Sequence, residues 1–228
     1  MAATRRTGDE RGTPVEALPG WAPGGYVSGP DAPLRAMERA LAKIGDAVTV
    51  VLVEGPSDQI ALETAAAGRG RDLEAERVVI VPIGGAHAIG RFLAGLGPPD
   101  TRVRLAGLCD LHEEEIFRRA LVANRVGSPR TRADMERLGF FVCVNDLEDE
   151  LIRAVGSAEI EALIEAQGDH RAFRSLQSQP GWRGREPEAQ IRRFLGSGAS
   201  RKLRYARLLV EASIDRLPRP LDALLAAV

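Results

Sequence analysis

Lysine is almost missing from this chain: of its 31 basic residues only Lys43 and Lys202 are lysines, and the rest are arginines. Neither lysine follows a glycine, which excludes a phosphate loop of the Gly-Lys-Ser/Thr kind. Cysteine is equally scarce. Cys109 and Cys143 each sit in an apolar stretch, which favours buried thiols over a disulfide or a soft-metal site. Aromatic residues make up 4% of the chain, and Trp21 and Trp182 are too few for a base-stacking platform. Long apolar runs are absent too: the strongest, residues 48–53, is interrupted by Thr49 and cannot span a bilayer, so no membrane role is expected. The opening MAATRRTGDERG lacks the apolar segment of a secretory signal, so the expected compartment is the reducing cytoplasm. Net charge is only −1 at pH 7, so no global field draws the protein to nucleic acid. Any such attraction has to be local.

What the chain does contain is an alternation of short apolar strands and helices, in 228 residues, enough for one α/β core with a small appendage. Residues 1–33 hold six Gly and five Pro with few large apolar side chains, and they read as a flexible arm. Leu34, Met37, Leu41 and Ile44 then recur at helical spacing and predict an amphipathic lead-in helix up to about Asp46. VTVVLV (48–53) runs into SDQIALETAA, RVVIVPI (77–83) into GGAHAIGRFLAGL, RVRLAGLCD (102–110) into EEEIFRRALVAN, and FFVCV (140–144) into DLEDELIRAVG. This spacing predicts right-handed crossovers, hence a four-stranded parallel sheet sandwiched by helices. The strand signal stops after about Ala154, and helical runs near 157–167, 188–195, 201–212 and 221–228 predict a helical extension. The expected organisation is an arm over 1–33, an α/β domain over 34–155 and a helical subdomain over 156–228.

In open parallel sheets ligands gather at the carboxyl ends of the strands. Three of the four ends are acidic here: Glu54-Gly55-Pro56-Ser57-Asp58, Asp110-Leu111-His112-Glu113-Glu114, and Asn145-Asp146-Leu147-Glu148-Asp149-Glu150, while strand two ends in Gly84-Gly85-Ala86. Taken singly, Ser57, Asp58, Glu113 to Glu115 and Asp146 to Glu150 also suit the first turns of helices. Glu54, ending a strand and followed by Gly, has no such capping role. Converging carboxylates raise one another's pKa unless a cation sits among them, and all-oxygen ligands call for a hard ion such as Mg²⁺ or Mn²⁺, the usual agents of phosphoryl chemistry on nucleic acids.

Glu54-Gly55 with Asp58, then Gly84-Gly85, then Asp110, resembles the Toprim domain of topoisomerases, primases and repair nucleases. More narrowly, VLVEGPSD, DLEDEL and RKLRYA are similar to the Toprim half of overcoming-lysogenization-defect endonucleases, over residues 48–220. The resemblance implies that Glu54, Asp58, Asp110, Asp146 and Glu148 hold metal, and that Lys202, in the segment matching a catalytic lysine, stabilises the transition state. It departs at one position. The second acid of the family's Asp-x-Asp motif falls on His112, and an imidazole suits Mg²⁺ poorly. Glu114 or Glu113 is the expected substitute.

Ten basic residues against two glutamates crowd the stretch from Arg171 to Arg207. Arg192, Arg193, Arg201 and Arg204 are the candidate nucleic-acid contacts, although an Arg-rich chain also produces solvated helix faces of this kind. Gly196 to Ser200 would form a pliant loop before Lys202. His87, near a predicted helix start, reads as a partly exposed helix residue, and nothing sets Tyr205 opposite the acids as a nucleophile. The expected activity is metal-dependent hydrolysis of DNA, with RNA not distinguished, using Glu54 and Lys202 as catalytic residues. A separate ATPase is an expected partner, since no Gly-Lys-Ser/Thr loop of the kind an ATPase half would carry is found in this sequence. Two alternatives stand beside it: a catalytically impaired nucleic-acid- or partner-binding module, motivated by His112, and a nucleotidyl transferase, which needs a nucleotide pocket.

Overall fold

Thr49–Val53 is β-branched at all but Leu52 and buried at every position, so it needs cover on both faces. It is β1, the centre of the sheet. In the computed structural model, which describes residues 32–96 and 103–228, β2 (Val78–Pro82) pairs with one side of β1 and β3 (Arg104–Cys109) with the other, Thr49 facing both Val78 and Arg104 in register. The short β4 (Phe140–Val142) adds to β3. All three pairings are parallel and the order is β2-β1-β3-β4, as the alternation predicts. The chain steps from β1 to β2 on one side and then crosses to the other, so the crevice at the switch of direction opens between the carboxyl ends of β1 and β3.

Helices cover both faces. On one lie α1 (Ala32–Lys43), α3 (Ile89–Gly95), α4 (Glu114–Ala123) and α5 (Arg132–Arg137), packing Ala40, Ile89, Leu93, Phe117, Leu121 and Met135 against Val50 and Leu52. On the other lie α2 (Pro56–Gly68), α6 (Leu147–Val155), α7 (Ser157–Ala166), α8 (His170–Ser178), α9 (Pro187–Leu195), α10 (Ala199–Ala212) and α11 (Arg219–Ala227). Val51 and Val53 share a core with Ala61, Leu151, Ile164, Phe194, Leu209 and Leu221, so the C-terminal helices are laid on the sheet itself. Cys109 and Cys143 belong to opposite faces and both are buried, which keeps the two thiols apart. Among the described residues no helix is long and apolar enough to cross a membrane.

Three expectations need correcting or bounding. The predicted arm lies outside the described residues apart from its last two, which open α1. The apolar stripe read for α1 is not its buried face: Leu34 is 51% and Leu41 43% exposed, while Ala36 and Ala40 are buried. Alanine faces let a helix approach β2 closely, and that approach outweighs the bulk of the leucines. Finally, α5 and α8 were not legible. One has six residues held by a Thr131 cap that accepts the Asp134 N–H at 3.2 Å; the other turns only Phe173 and Leu176 into the core, too few to set a period.

Candidate metal centre

Glu54 leaves β1 and Asp110 leaves β3 at the mouth of the crevice, and the Asp110 backbone N–H donates to Glu54 Oε1 at 3.1 Å. The chain then makes a 3₁₀ turn over Leu111–Glu113, with the Glu113 N–H bonded to the Asp110 carbonyl at 3.0 Å. With three residues per turn, positions i and i+3 eclipse. Residue 113, not 112, is therefore brought back over Asp110. One carboxylate oxygen from each of Glu54, Asp110 and Glu113 lies within 4.8 Å of the other two. His112 points out of the turn and is exposed. Glu114, the other expected substitute for His112, is turned away: its carboxylate accepts from Arg132 Nη2 at 2.7 Å and Nε at 3.2 Å. The acid missing from Asp-x-Asp is supplied one residue later.

Electrostatics mark the cluster as short of positive charge. Burial, then the neighbouring Glu113 carboxyl and Asp110, push Glu54 from its ordinary 4.5 up to about 9. Burial, then the charges of Asp58 and Asp146, push Asp110 up to about 7. Glu113 Oε2 is buried with no hydrogen-bond partner. A cluster with Glu54 and Asp110 raised in this way either keeps protons or holds a cation.

The remaining predicted ligands reach the same hollow from other elements. A cavity of about 260 Å³ is lined by Glu54, Asp58, Asp110, Asp146, Glu148 and Lys202. Asp58, in the first turn of α2, accepts the Gly55 N–H at 2.9 Å, and burial raises its pKa. Asp146 caps α6 by accepting the Asp149 N–H at 2.7 Å, while its second oxygen meets Arg192. Capping and cavity lining are thus not alternatives for these two acids. Glu148 is raised by burial; its Oε1 is buried without a partner and its Oε2 stands 4.0 Å from Lys202 Nζ. Asp58, Asp146 and Glu148 line the cavity outside the tight triad.

The basic residues divide. Arg192 pairs with Asp146 and lies 3.6 Å from Asp149, at the cavity edge, and Arg193 is exposed beside it. Arg201 and Arg204, expected as nucleic-acid contacts, turn toward Asp169, and the Arg201 guanidinium stacks 4.2 Å from the centre of the Phe194 ring. Each arginine spends part of its guanidinium on Asp169, so the two act first as intramolecular partners. Tyr205 also donates to Asp169, at 3.0 Å. His87 is exposed and does not line the cavity. An all-oxygen donor set, two buried carboxylate oxygens without partners and four raised acids fit a hard divalent cation.

Residues 47–111, from the threshold of β1 to the turn after β3, match the family described as overcoming lysogenization defect protein-like, TOPRIM domain. This stretch is an OLD-like Toprim domain. Its fold is nucleotide-processing, and members of the wider Toprim family are generally nucleases and primases that bind divalent metal through acidic residues. The architecture is similar to the C-terminal region of the Burkholderia pseudomallei OLD protein, with a TM-score of 0.57 at 20% identity, covering 79% of this chain and 96% of that one. It is also similar to the C-terminal region of the Xanthomonas campestris pv. campestris OLD protein, with a TM-score of 0.58 at 20% identity, covering 79% and 93%. At that identity the likeness is one of fold. No curated protein matches the chain. The Toprim match contains Glu54, Asp58 and Asp110; Glu113, Asp146, Glu148 and Lys202 lie beyond it and stand on the geometry alone.

Proposed function

We propose that this chain hydrolyses phosphodiester bonds in DNA with Mg²⁺ or Mn²⁺. The observation that carries the reading is the Glu54–Asp110–Glu113 triad, one oxygen of each lying within 4.8 Å of the others, with Glu54 and Asp110 lining a cavity that Lys202 also lines. Residues 34–155 would form the metal-holding unit and residues 156–228 a helical unit that supplies Lys202. Glu54, Asp110 and Glu113 would hold one ion, and Asp58, Asp146 and Glu148 a second. Bound there, a divalent ion supplies Lewis acidity toward a phosphate oxygen and makes water a better nucleophile at neutral pH. Glu54, raised to about 9 by burial and its acidic neighbours, would give up its proton on holding a cation. The Lys202 ammonium offsets charge that builds on the phosphoryl oxygens, and its donors can follow those oxygens as they move. Arg192 and the exposed Arg193 supply local positive charge to a chain whose net charge is −1. A separate cytoplasmic ATPase is the partner this reading calls for.

The impaired-module alternative was motivated by His112, and Glu113 in the triad restores the acid count. The test is nicking of supercoiled plasmid in Mn²⁺ and in Mg²⁺. Glu54→Ala and Lys202→Ala each lose about 100-fold or more, in line with removal of a group acting on the transition state, while His112→Ala keeps wild-type activity. Undiminished nicking by Glu54→Ala overturns the assignment.

A further inference from the structure

We infer that Asp169 is the positioning residue for Lys202, an inference that rests on the nuclease reading for its catalytic consequence but not for its geometry. Three donors from the first two turns of α10 converge on this one carboxylate: Arg204 pairs with Oδ2, the Tyr205 hydroxyl donates to the same oxygen at 3.0 Å, and Arg201 Nε stands 3.8 Å away. The anchor is itself fixed. The Asp169 N–H bonds to the Ile164 carbonyl at 3.0 Å, closing α7, and the Asp169 carbonyl accepts the Phe173 N–H at 3.0 Å, opening α8. Arg201 is tied a second time, to Ser197 Oγ at 2.5 Å, and lies over Phe194 of α9.

Lys202 sits between these anchored residues in sequence but one step round the helix. At 100° per residue, 201, 204, 205 and 208 share one face, while 202, 205, 206 and 209 share the face that lines the cavity. Tyr205 belongs to both. Its ring is buried in the cavity wall and its hydroxyl reaches round to Asp169, so the carboxylate sets the rotation of α10 about its axis. That rotation decides whether the ammonium faces Glu148, 4.0 Å away, or slides past the acids. A displacement of about 1 Å at a reacting group costs up to about 100-fold in rate. Arg201 and Arg204 thus hold the helix in register through Asp169, while Arg207 pairs within α10 with Glu211.

The scarcity of lysine makes the test direct. Protein carrying ¹³C at lysine Cε gives two lysine signals, one from Lys202 and one from Lys43, which pairs with Glu74 at 3.6 Å at the end of α1 and serves as the internal reference. In Asp169→Ala the Lys202 signal moves toward the position of a free lysine and the Lys43 signal stays. In the plasmid assay kcat falls about 10- to 100-fold with KM within about twofold, and Asp169→Glu recovers part of the loss. A folded Asp169→Ala protein whose Lys202 signal does not move overturns the inference. If that variant does not fold, Tyr205→Phe, which deletes one hydroxyl, replaces it; a smaller shift of Lys202 supports the inference and no shift overturns it. Should the wild-type chain cut no DNA at all, the nuclease reading fails while the resonance still decides the role of Asp169.

Discussion

Replacing Glu54 with Gln should make the metal-free protein more stable at neutral pH, the opposite of what removing a structural carboxylate does. Glu54 titrates at 4.5 in an unfolded chain and at about 9 in the folded one, because burial and the Glu113 and Asp110 carboxyls oppose its charge. The folded state therefore binds the proton more tightly. Its stability is fully present below pH 4.5 and is lost as pH rises toward 9. At about 1.4 kcal/mol per pH unit the loss reaches about 5 kcal/mol at pH 8, and solvent at the open mouth of the cavity screens it to about 1–3 kcal/mol. Gln imitates the protonated acid, and its amide oxygen can still accept the Asp110 N–H now bonded at 3.1 Å. Urea denaturation in chelator should show Glu54→Gln gaining about 1–3 kcal/mol at pH 8 and nothing at pH 4. In excess Mn²⁺ the order should reverse, since only the wild type retains the ligand. A Gln variant less stable than wild type at pH 8 in chelator, or a gain that is the same at pH 4, would refute the electrostatic account of the triad.

Other expectations follow from the same geometry. Mn²⁺ at about a hundred times its dissociation constant should stabilise the wild type by about 2.7 kcal/mol; in thermal melts Glu113→Ala should forfeit most of that gain, and Glu114→Ala, whose partner is Arg132, little of it. An equal loss in both would remove Glu113 from the triad. Gly107→Ala should destabilise by about 1–3 kcal/mol in urea titrations, because a Cβ there would meet the Leu52 carbonyl and the Phe140 ring at 2.8 Å. Cys109 and Cys143 are buried, and burial raises both thiols, so a thiol reagent should modify neither until the protein is unfolded.

The strands were readable because each is a run of β-branched and apolar residues with a helix behind it, a local property that survives with no knowledge of the partner strands. Glu54 was readable for a related reason: an acid at the end of a buried strand, followed by Gly, has no local use. Helix α1 was misread in its facing because periodicity marks where apolar side chains recur and not which of two candidate faces packs against a neighbour. The pairing of Arg201 and Arg204 with Asp169 is not legible in the sequence, because that partner is more than thirty residues away in the chain.

The sequence alone determined the parallel α/β class, the acidic ends of three strands and the rarity of lysine, since each is written in neighbouring residues. Tertiary structure decided which of those acids meet. Strand order set β1 beside β3 and so joined Glu54 to Asp110, and the three-residue pitch of one short turn chose Glu113 over His112 and Glu114. Contacts between residues far apart in the chain depend on how the elements pack, and no local pattern of side chains records that.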